Sequence, residues 1–318
     1  MSAEIYTIDN EVSFTRREGS KAAWHKLGGE TPVDAPLEVW AANAKMDFEI
    51  LSAPVQFKNG DNELTFNGRN VLYRNDNHAP LSVVSDRYQV VQPMEVLEFF
   101  RDLTEAGGYH MDTAGVLKNG GKYWALATND VEGNLSGDII KPYLLLATAC
   151  DGSLATTAQH TTIRVVCQNT LSMATANDSA AIKVPHSTTF DAAKVKNQLG
   201  IGETFEQFMT TADDLASKGI NTNDAAEIVW QLCGDTRLDD KGPSKQRQDK
   251  VSDIIQLFHG GMGADLISAR GTKWGLLNAV TQYVDHEKRA RSMDNRLESA
   301  WFGAGNKLKS AALELLAA

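Results

Sequence analysis

Two segments in the first half of the chain combine aromatic, basic and polar side chains of the kind that bind nucleic acid. The first is Trp24-His25-Lys26, which follows three basic residues within positions 16–21. An exposed tryptophan can stack on an unpaired base while a neighbouring lysine pairs with phosphate. The alternative is a tryptophan that anchors the N-terminal segment onto the core. We therefore take Trp24 and Lys26 as candidate nucleic-acid contacts and leave the anchoring alternative open.

The second segment is a strand-like run at residues 160–170. In an extended strand Arg164 shares one face with Thr162, and the apolar Ile163 and Val165 lie on the other. The apolar face is predicted to enter the core, which leaves Arg164 pointing outward. A guanidinium in that position is suited to pair with phosphate. A structural ion pair is the alternative role for Arg164.

Basic residues also cluster twice in the second half of the chain. One cluster follows a helical stripe that ends at Val284, and a weaker one precedes another helical stripe. Their members are His286, Lys288, Arg289, Arg291 and Arg296, and then Lys241, Lys245, Arg247 and Lys250. Such runs are often solvated helix faces. We nevertheless take Arg289 and Arg291, together with Lys122 of a predicted hairpin, as candidate phosphate contacts.

The distribution of charge limits where a polyanion could bind. The chain of 318 residues has 31 basic and 41 acidic side chains and a net charge of −10, which excludes a diffuse polycation. Residues 1–185 carry 15 basic and 23 acidic side chains, whereas residues 186–318 carry 16 and 18. The second part is therefore nearer to neutral, and a DNA-binding track on this protein has to be local.

Sequence signatures of catalysis are missing. Cys150, His160 and Cys167 lack the paired spacing of a zinc site, and His286-Glu287 lacks the second histidine of a zinc-protease helix. The glycines at 260–263 lack the Gly-Lys-Ser/Thr ending of a phosphate loop. The sequence thus gives no positive argument for an enzyme or a cofactor. A nuclease whose carboxylates assemble only in three dimensions remains an alternative.

The predicted secondary structure that positions these residues changes along the chain from strands to helices. Short β-branched and aromatic runs separated by turns dominate the first part, with helices predicted at Leu37–Ala44 and from Pro93. Asn119-Gly120 predicts the turn of a hairpin. After residue 190 the apolar residues recur with a helical period and predict five or six helices. We predict an α+β fold with a β-rich domain at 1–185 and a mostly helical region at 186–318.

Composition also bears on the cellular compartment. No apolar run approaches the roughly 18 to 20 residues of a membrane span, and the first residues lack the features of a signal peptide. The three cysteines are odd in number and widely spaced, which fits a reducing compartment. We therefore expect a cytoplasmic protein without a membrane partner.

Several segments together resemble the phage/plasmid-like protein family, a domain of unknown function from phages, prophages and plasmids. The resemblance runs from about residue 10 to 315 and includes the W-H-x-L-G motif, the R-V-V-C-x-N-T-L signature and the W-x-x-x-N-A-V-T-x-Y-V-D-H helix. One departure is Cys150, where many relatives are expected to have histidine. The matching segments are Trp24–Gly28, Val84–Pro93, Ala114–Leu126, Asp151–Ser153, Thr162–Leu171, Lys273–His286 and Phe302–Gly305.

The resemblance implies a phage or mobile-element protein that works in the cytoplasm of a bacterial host. A chain of this size that is β-rich first and helical second also resembles, at the level of fold, single-strand annealing recombinases of the Redβ and RecT type. That likeness implies binding and annealing of single-stranded DNA by a homo-oligomer without a nucleotide cofactor. An acidic protein that engages a host protein, for host interaction or anti-defence, is the alternative function.

Overall fold

A nine-stranded, mainly antiparallel sheet forms the centre of the computed structural model. The structure describes residues 7–8, 11–12, 14–20, 28–107, 109–129, 131–166, 169–172, 181–186, 203–234 and 242–318. The described strands are β1 Thr7–Ile8, β2 Glu11–Val12, β3 Phe14–Arg17, β4 Gly29–Thr31, β5 Ile50–Asn59, β6 Asn62–Arg74, β7 Pro80–Ser85, β8 His110–Leu117, β9 Lys122–Thr128, β10 Gly133–Leu135, β11 Asp138–Ala149, β12 Thr156–Arg164, β13 Asn169–Ser172 and β14 Ala181–Val184.

Helices dominate the second part of the chain. The described α-helices are α1 Leu37–Asn43, α2 Pro93–Gly107, α3 Glu203–Ser217, α4 Thr222–Leu232, α5 Lys245–Gly260, α6 Lys273–Gln282, α7 Met293–Trp301 and α8 Ala304–Ala317. A π-helical turn at Tyr283–Glu287 continues α6, and a short 3₁₀ turn at Lys118–Gly120 joins β8 to β9. None of the described helices has the length and apolar character needed to cross a membrane.

The central sheet has the strand order β13-β12-β11-β9-β8-β3-β4, with β10 added beside β11 and β14 beside β12. Long antiparallel ladders join β11 to both β9 and β12, so β11 is an interior strand of the sheet. Alternate residues of each strand point to opposite faces. Leu144 and Leu146 therefore face one side while Leu145 and Ala147 face the other, and all four are buried.

Both faces of this sheet are covered. On the first face α1, α2 and the base of a separate three-stranded sheet, β5-β6-β7, pack against Leu144 and Leu146. On the second face α7 packs against Trp124 and Leu145, and the rings of Trp124 and Trp301 meet edge to face at 4.9 Å. Burial on both faces explains why β9 and much of β11 are almost continuously apolar.

Hydrogen bonds attach the edge strand β13 to α6 and to the π-helical turn that continues it. The side-chain amide of Asn169 donates hydrogen bonds to the Asn278 carbonyl and the Thr281 hydroxyl of α6, at 3.1 and 3.0 Å. The next residue, Thr170, donates from its backbone N–H to the carboxylate of Asp285 in the π-helical turn at 2.7 Å. Successive residues of one strand thus anchor α6 and its π-helical continuation to the sheet.

Three predictions about the fold are confirmed. The α+β class holds, with a β-rich first part and a mostly helical second part. The helices expected at Leu37 and Pro93 begin at those residues. The hairpin turn at Asn119-Gly120 is also present, and both residues have positive φ, 57° and 94°. Asparagine and glycine tolerate that conformation best, which is why the dipeptide is a strong turn signal.

Candidate functional site

Arg164 lies in a buried ion pair with Asp138. Its side chain is 3% exposed, and Nε donates to both carboxylate oxygens of Asp138 at 2.7 and 2.9 Å. The rest of the guanidinium donates to the carbonyl oxygens of Met262 and Gly263, at 3.3 and 2.9 Å. The structure therefore places Arg164 in the structural ion pair that was its alternative role. The outward position expected for a phosphate contact is not observed, because the segment before α6 covers this face of β12.

Asp138 connects that ion pair to the helical part. Its carboxylate accepts a hydrogen bond from the indole N–H of Trp274 at 3.0 Å and from the hydroxyl of Ser268 at 3.2 Å. Trp274 belongs to α6, so the carboxylate joins the start of β11 to the helix. A buried charge with this many donors is satisfied and positioned. Its role in the described structure is to hold the sheet and the helices together.

Lys122 has a similar structural role at the other end of the sheet. It is 3% exposed, and its ammonium donates to Glu298 of α7 at 2.5 Å. Lys118 reaches the second oxygen of the same carboxylate. Burial alone would raise the pKa of Glu298, but hydrogen bonds from Lys118 and Lys122 outweigh burial and lower the pKa below its usual range. Lys122 could contact phosphate only by giving up this ion pair.

The remaining predicted site residues fall into two groups. Trp24 and Lys26 lie in residues 21–27, outside the described part of the chain. Arg289 and Arg291 are exposed, between the π-helical turn and α7. Of the six predicted contacts, these two arginines are the ones that the structure leaves available at the surface of the described part.

The two basic clusters seen in the sequence meet on one surface. The π-helical turn packs against α5, and the charge of Lys250 reaches Lys288. Burial, and then the positive charge of Lys250, lower the pKa of Lys288. We call this the basic surface. It comprises Lys245, Arg247 and Lys250 of α5 with Lys288, Arg289 and Arg291.

Carboxylates do not neutralise most of this surface. Asp249 and Asp253 lie on α5 as well, but among the described residues no ion pair joins a carboxylate to Lys245, Lys250, Lys288, Arg289 or Arg291. The thiol of Cys233 lies beneath, and burial raises its pKa although Lys250 and Arg247 partly offset the effect. Lys250 and Lys288 of two separate segments therefore lie close together, and five of the six basic side chains form no ion pair with a described carboxylate.

A second candidate site is a cavity of about 320 Å³ beside β3, β8 and β11. Asp112 of β8 lines it and is 1% exposed. The β8–β9 ladder pairs Met111 with Ala127 and Thr113 with Leu126, so Asp112 is the extra residue of a β-bulge. A bulge breaks the alternation of a strand and redirects a side chain. In this case the redirected side chain is a buried carboxylate at a cavity.

The hydrogen-bond acceptors of the Asp112 carboxylate are only partly used by its surroundings. Its Oδ2 has no hydrogen-bond partner among the described residues, and Arg17 is 3.8 Å from Oδ1. Burial raises the pKa of Asp112, and Ser20, Arg17, Tyr143 and the more distant charge of His110 offset only part of that rise. The sequence contained no motif for this residue. The one signal in the sequence was a carboxylate within a run of mostly small and apolar residues.

Asp112→Asn is expected to increase the free energy of unfolding at neutral pH, with a gain that disappears in acid. A carboxyl whose pKa is raised by folding holds its proton longer in the native state, so the wild type loses stability as pH rises above the ordinary value of 3.8. Each tenfold change in proton affinity corresponds to about 1.4 kcal/mol. Urea denaturation at several pH values measures this, with Asp61→Asn on an exposed turn as the control. A wild type that gains stability over Asp112→Asn as pH rises would contradict the prediction.

The fold and these two sites define an α+β protein with a central antiparallel sheet, a helical part that carries a basic surface, and a cavity at a buried carboxylate. Residues 80–301 match the family described as "Domain of unknown function (DUF932)". The chain belongs to that family. No curated protein and no solved structure matches it. The matched range includes Asp112, Asp138, Arg164 and the whole basic surface.

Proposed function

We propose that the protein binds single-stranded DNA through the basic surface and promotes annealing as a homo-oligomer, without a nucleotide cofactor. The observation that carries the proposal is the approach of two basic segments at Lys250 and Lys288, where most of the cations form no ion pair with a described carboxylate. Holding like charges together costs electrostatic free energy. A bound polyanion recovers that cost and releases its counterions.

The local nature of the surface agrees with the composition. A chain with a net charge of −10 repels DNA over most of its surface, so binding is confined to the region where cations collect. Confinement also suits annealing, because a backbone held along one track leaves its bases free to pair. Lys122 and Arg164 are excluded from this proposal since both are buried in ion pairs. Trp24 and Lys26 stay candidate contacts.

The proposed setting is that of a phage or other mobile element acting in the cytoplasm of a bacterial host. The support is the set of motifs shared with the phage/plasmid-like family, which includes the segments Thr162–Leu171 and Lys273–His286. These segments contribute Arg164, Asn169 and Trp274 to the contacts between sheet and helices. The shared motifs therefore support the same architecture around the basic surface.

Replacing Arg289 and Arg291 together with alanine is expected to weaken binding of a labelled oligothymidine about tenfold at low salt. Each phosphate contact on a single strand contributes about 0.7 to the slope of log affinity against log salt, so the slope falls by about 1.4. Fluorescence anisotropy over a salt series measures both quantities. The folded state is expected to be unaffected, because both side chains are exposed and form no ion pair within the described part.

The matched control is Lys58→Ala with Arg69→Ala, which removes the same charge from two exposed positions on the β5-β6-β7 sheet. This control is expected to bind DNA as the wild type does. Equal losses in both double variants would indicate an effect of net charge alone and would contradict a specific surface. Absence of salt-dependent binding by the wild type at micromolar concentration would overturn the proposal.

A protein interface is the second candidate function, and one feature of the structure favours it. The β5-β6-β7 sheet exposes Phe57, Leu64 and Phe66, of which Phe57 and Leu64 are directly paired across the strands. Apolar side chains collected on one exposed sheet are typical of interaction surfaces. The acidic first part of the chain would then face a host protein. A wild type that fails to bind DNA would leave this candidate as the better supported one.

A further inference from the structure

The three-stranded sheet β5-β6-β7 has a second apolar face, which points away from the core. Its inner face contributes three buried side chains to the core, Ile50, Leu72 and Val84. Side chains alternate between the two faces of a strand, so the neighbours of these residues lie on the opposite face. On that side the β6–β7 ladder pairs Val71 with Val83. We call this side of the sheet the outer face.

The outer face continues along the β5-β6 hairpin. The irregularity in the β5–β6 ladder adds its extra residues to β6, so β5 alternates without a break and Phe57 shares the face of Leu51. Leu64 pairs directly with Phe57, and Phe66 follows Leu64 two positions later. Five of the eleven large apolar side chains exposed in the described part lie on this face, namely Leu51, Phe57, Leu64, Phe66 and Val83. They form one apolar surface of the kind that marks an interaction site.

The other side of the hairpin tip is polar. Gln56 pairs with Thr65 and Lys58 pairs with Glu63, on the side away from Phe57. All four polar side chains are exposed. This alternation is typical of strands with one face packed and the other in water. Since the apolar face has no cover among the described residues, the pattern indicates that it packs against a partner.

Charge favours a second copy of this chain as the partner. Residues 50–85 carry three basic and three acidic side chains, whereas residues 1–185 as a whole carry 15 and 23. Two copies with a net charge of −10 repel each other, and the repulsion is smallest where the surface is neutral. Interfaces between identical chains are also more apolar than other protein interfaces. The exposed apolar side chains of the outer face offer no cation to the phosphates of DNA.

We propose that two copies of the chain associate through their outer faces, with the hairpins packed face to face about a two-fold axis. A contact in which the same surface meets itself closes after two copies, so the assembly is a dimer. The proposal rests on the proposed function only in that it names the interface of the homo-oligomer, and it requires no DNA binding.

The size of the outer face sets the expected strength of the dimer. The ten residues of β5 span about 34 Å, and two to three strands spaced about 4.8 Å apart give each copy a footprint of roughly 300–500 Å². Twice that area is less than the about 1,200 Å² at which standard interfaces begin. We therefore expect a reversible dimer with a dissociation constant on the order of micromolar.

Sedimentation velocity of the full chain, over concentrations on the order of 1–200 μM, measures this association. The wild type is expected to shift from monomer to dimer across the series. High salt is expected to maintain or strengthen the dimer, because salt screens the repulsion between the acidic copies and leaves the apolar contact in place. Salt that dissociates the dimer would indicate a contact between charges and would contradict the outer face.

Phe66→Glu removes one ring from each copy and brings two like charges together at the two-fold contact. Association is expected to weaken at least about tenfold. The matched control is Thr65→Glu, which adds the same charge one position earlier on the same strand but on the polar side. This control is expected to dimerise as the wild type does. Phe57→Ser removes a ring without adding charge and is expected to weaken the dimer too.

The folded state of these variants is checked by circular dichroism and urea denaturation. All three positions are exposed, so stability is expected to stay close to that of the wild type. Arg289→Ala with Arg291→Ala is expected to dimerise as the wild type does, and Phe66→Glu is expected to keep salt-dependent DNA binding. Failure of DNA binding therefore does not decide the outcome for the dimer, nor the reverse.

Three outcomes would overturn the proposal. One is a wild type that stays monomeric at the highest concentration, and another is an equal response of Phe66→Glu and Thr65→Glu. The third is a monomeric wild type that binds a bacterial protein through this face, with binding lost in Phe66→Glu. That result would assign the outer face to a host protein.

Discussion

Replacing Arg164 with methionine is expected to lower the free energy of unfolding by about 3–5 kcal/mol, as is typical for breaking one side of a buried ion pair. Methionine keeps much of the apolar length of arginine but cannot neutralise Asp138. That carboxylate is 0% exposed and would lose its cationic partner in the interior. The hydrogen bonds from Trp274 and Ser268 would then be its remaining compensation. The carbonyl groups of Met262 and Gly263 would lose their donor at the same time.

Urea denaturation followed by tryptophan fluorescence measures this loss, because Trp274 contacts the same carboxylate. The matched control is Arg289→Met, the same chemical change at an exposed position, which is expected to alter stability by less than about 0.5 kcal/mol. Adding Asp138→Asn to Arg164→Met is expected to recover part of the stability, since it removes the uncompensated charge. Wild-type stability with weakened DNA binding in Arg164→Met would instead favour a phosphate contact.

The contrast between Arg164 and Arg289 shows what a sequence pattern can and cannot predict. Alternation within the strand correctly separates Arg164 from Ile163, which is buried on the opposite face with Trp124 and Leu145. It cannot show whether the other face is open. That face is covered by α6 and by residues 262–263, which lie about a hundred positions further along the chain. Coverage of this kind depends on long-range packing, which no local period encodes.

The fold was more predictable than the site for a related physical reason. Helix starts and turns depend on local preferences, so Pro93 at a first helical turn and Asn119-Gly120 in a hairpin could be recognised directly. The β-bulge at Asp112 is set by how β8 aligns with β9, and the sequence of β8 alone does not encode that register. The basic surface depends on both a local sequence pattern and long-range packing. Its two segments were visible in the sequence, but their meeting depends on the packing of the π-helical turn against α5.

The second large effect is expected from Gly275→Ala in the first turn of α6. Alanine normally stabilises a helix by about 1 kcal/mol relative to glycine. At Gly275, however, an added methyl group would overlap the carbonyl oxygen of Ala269 and lie 2.8 Å from its carbonyl carbon. Both are backbone atoms, and both neighbouring helix residues, Trp274 and Leu276, are buried, so neither side can move easily. Overpacking of a tight site costs about 1–3 kcal/mol and occasionally more.

The steric cost therefore exceeds the helix preference, and Gly275→Ala is expected to lower the free energy of unfolding by about 2 kcal/mol or more. Gly260→Ala, at the end of α5, provides the matched control, because no atom lies within 4 Å of the added methyl group. That variant is expected to keep or slightly raise stability. Urea denaturation of the two variants isolates the close approach. If both respond alike, α6 is not pressed against Ala269 in solution, and the position of Trp274 beside Asp138 has to be revised with it.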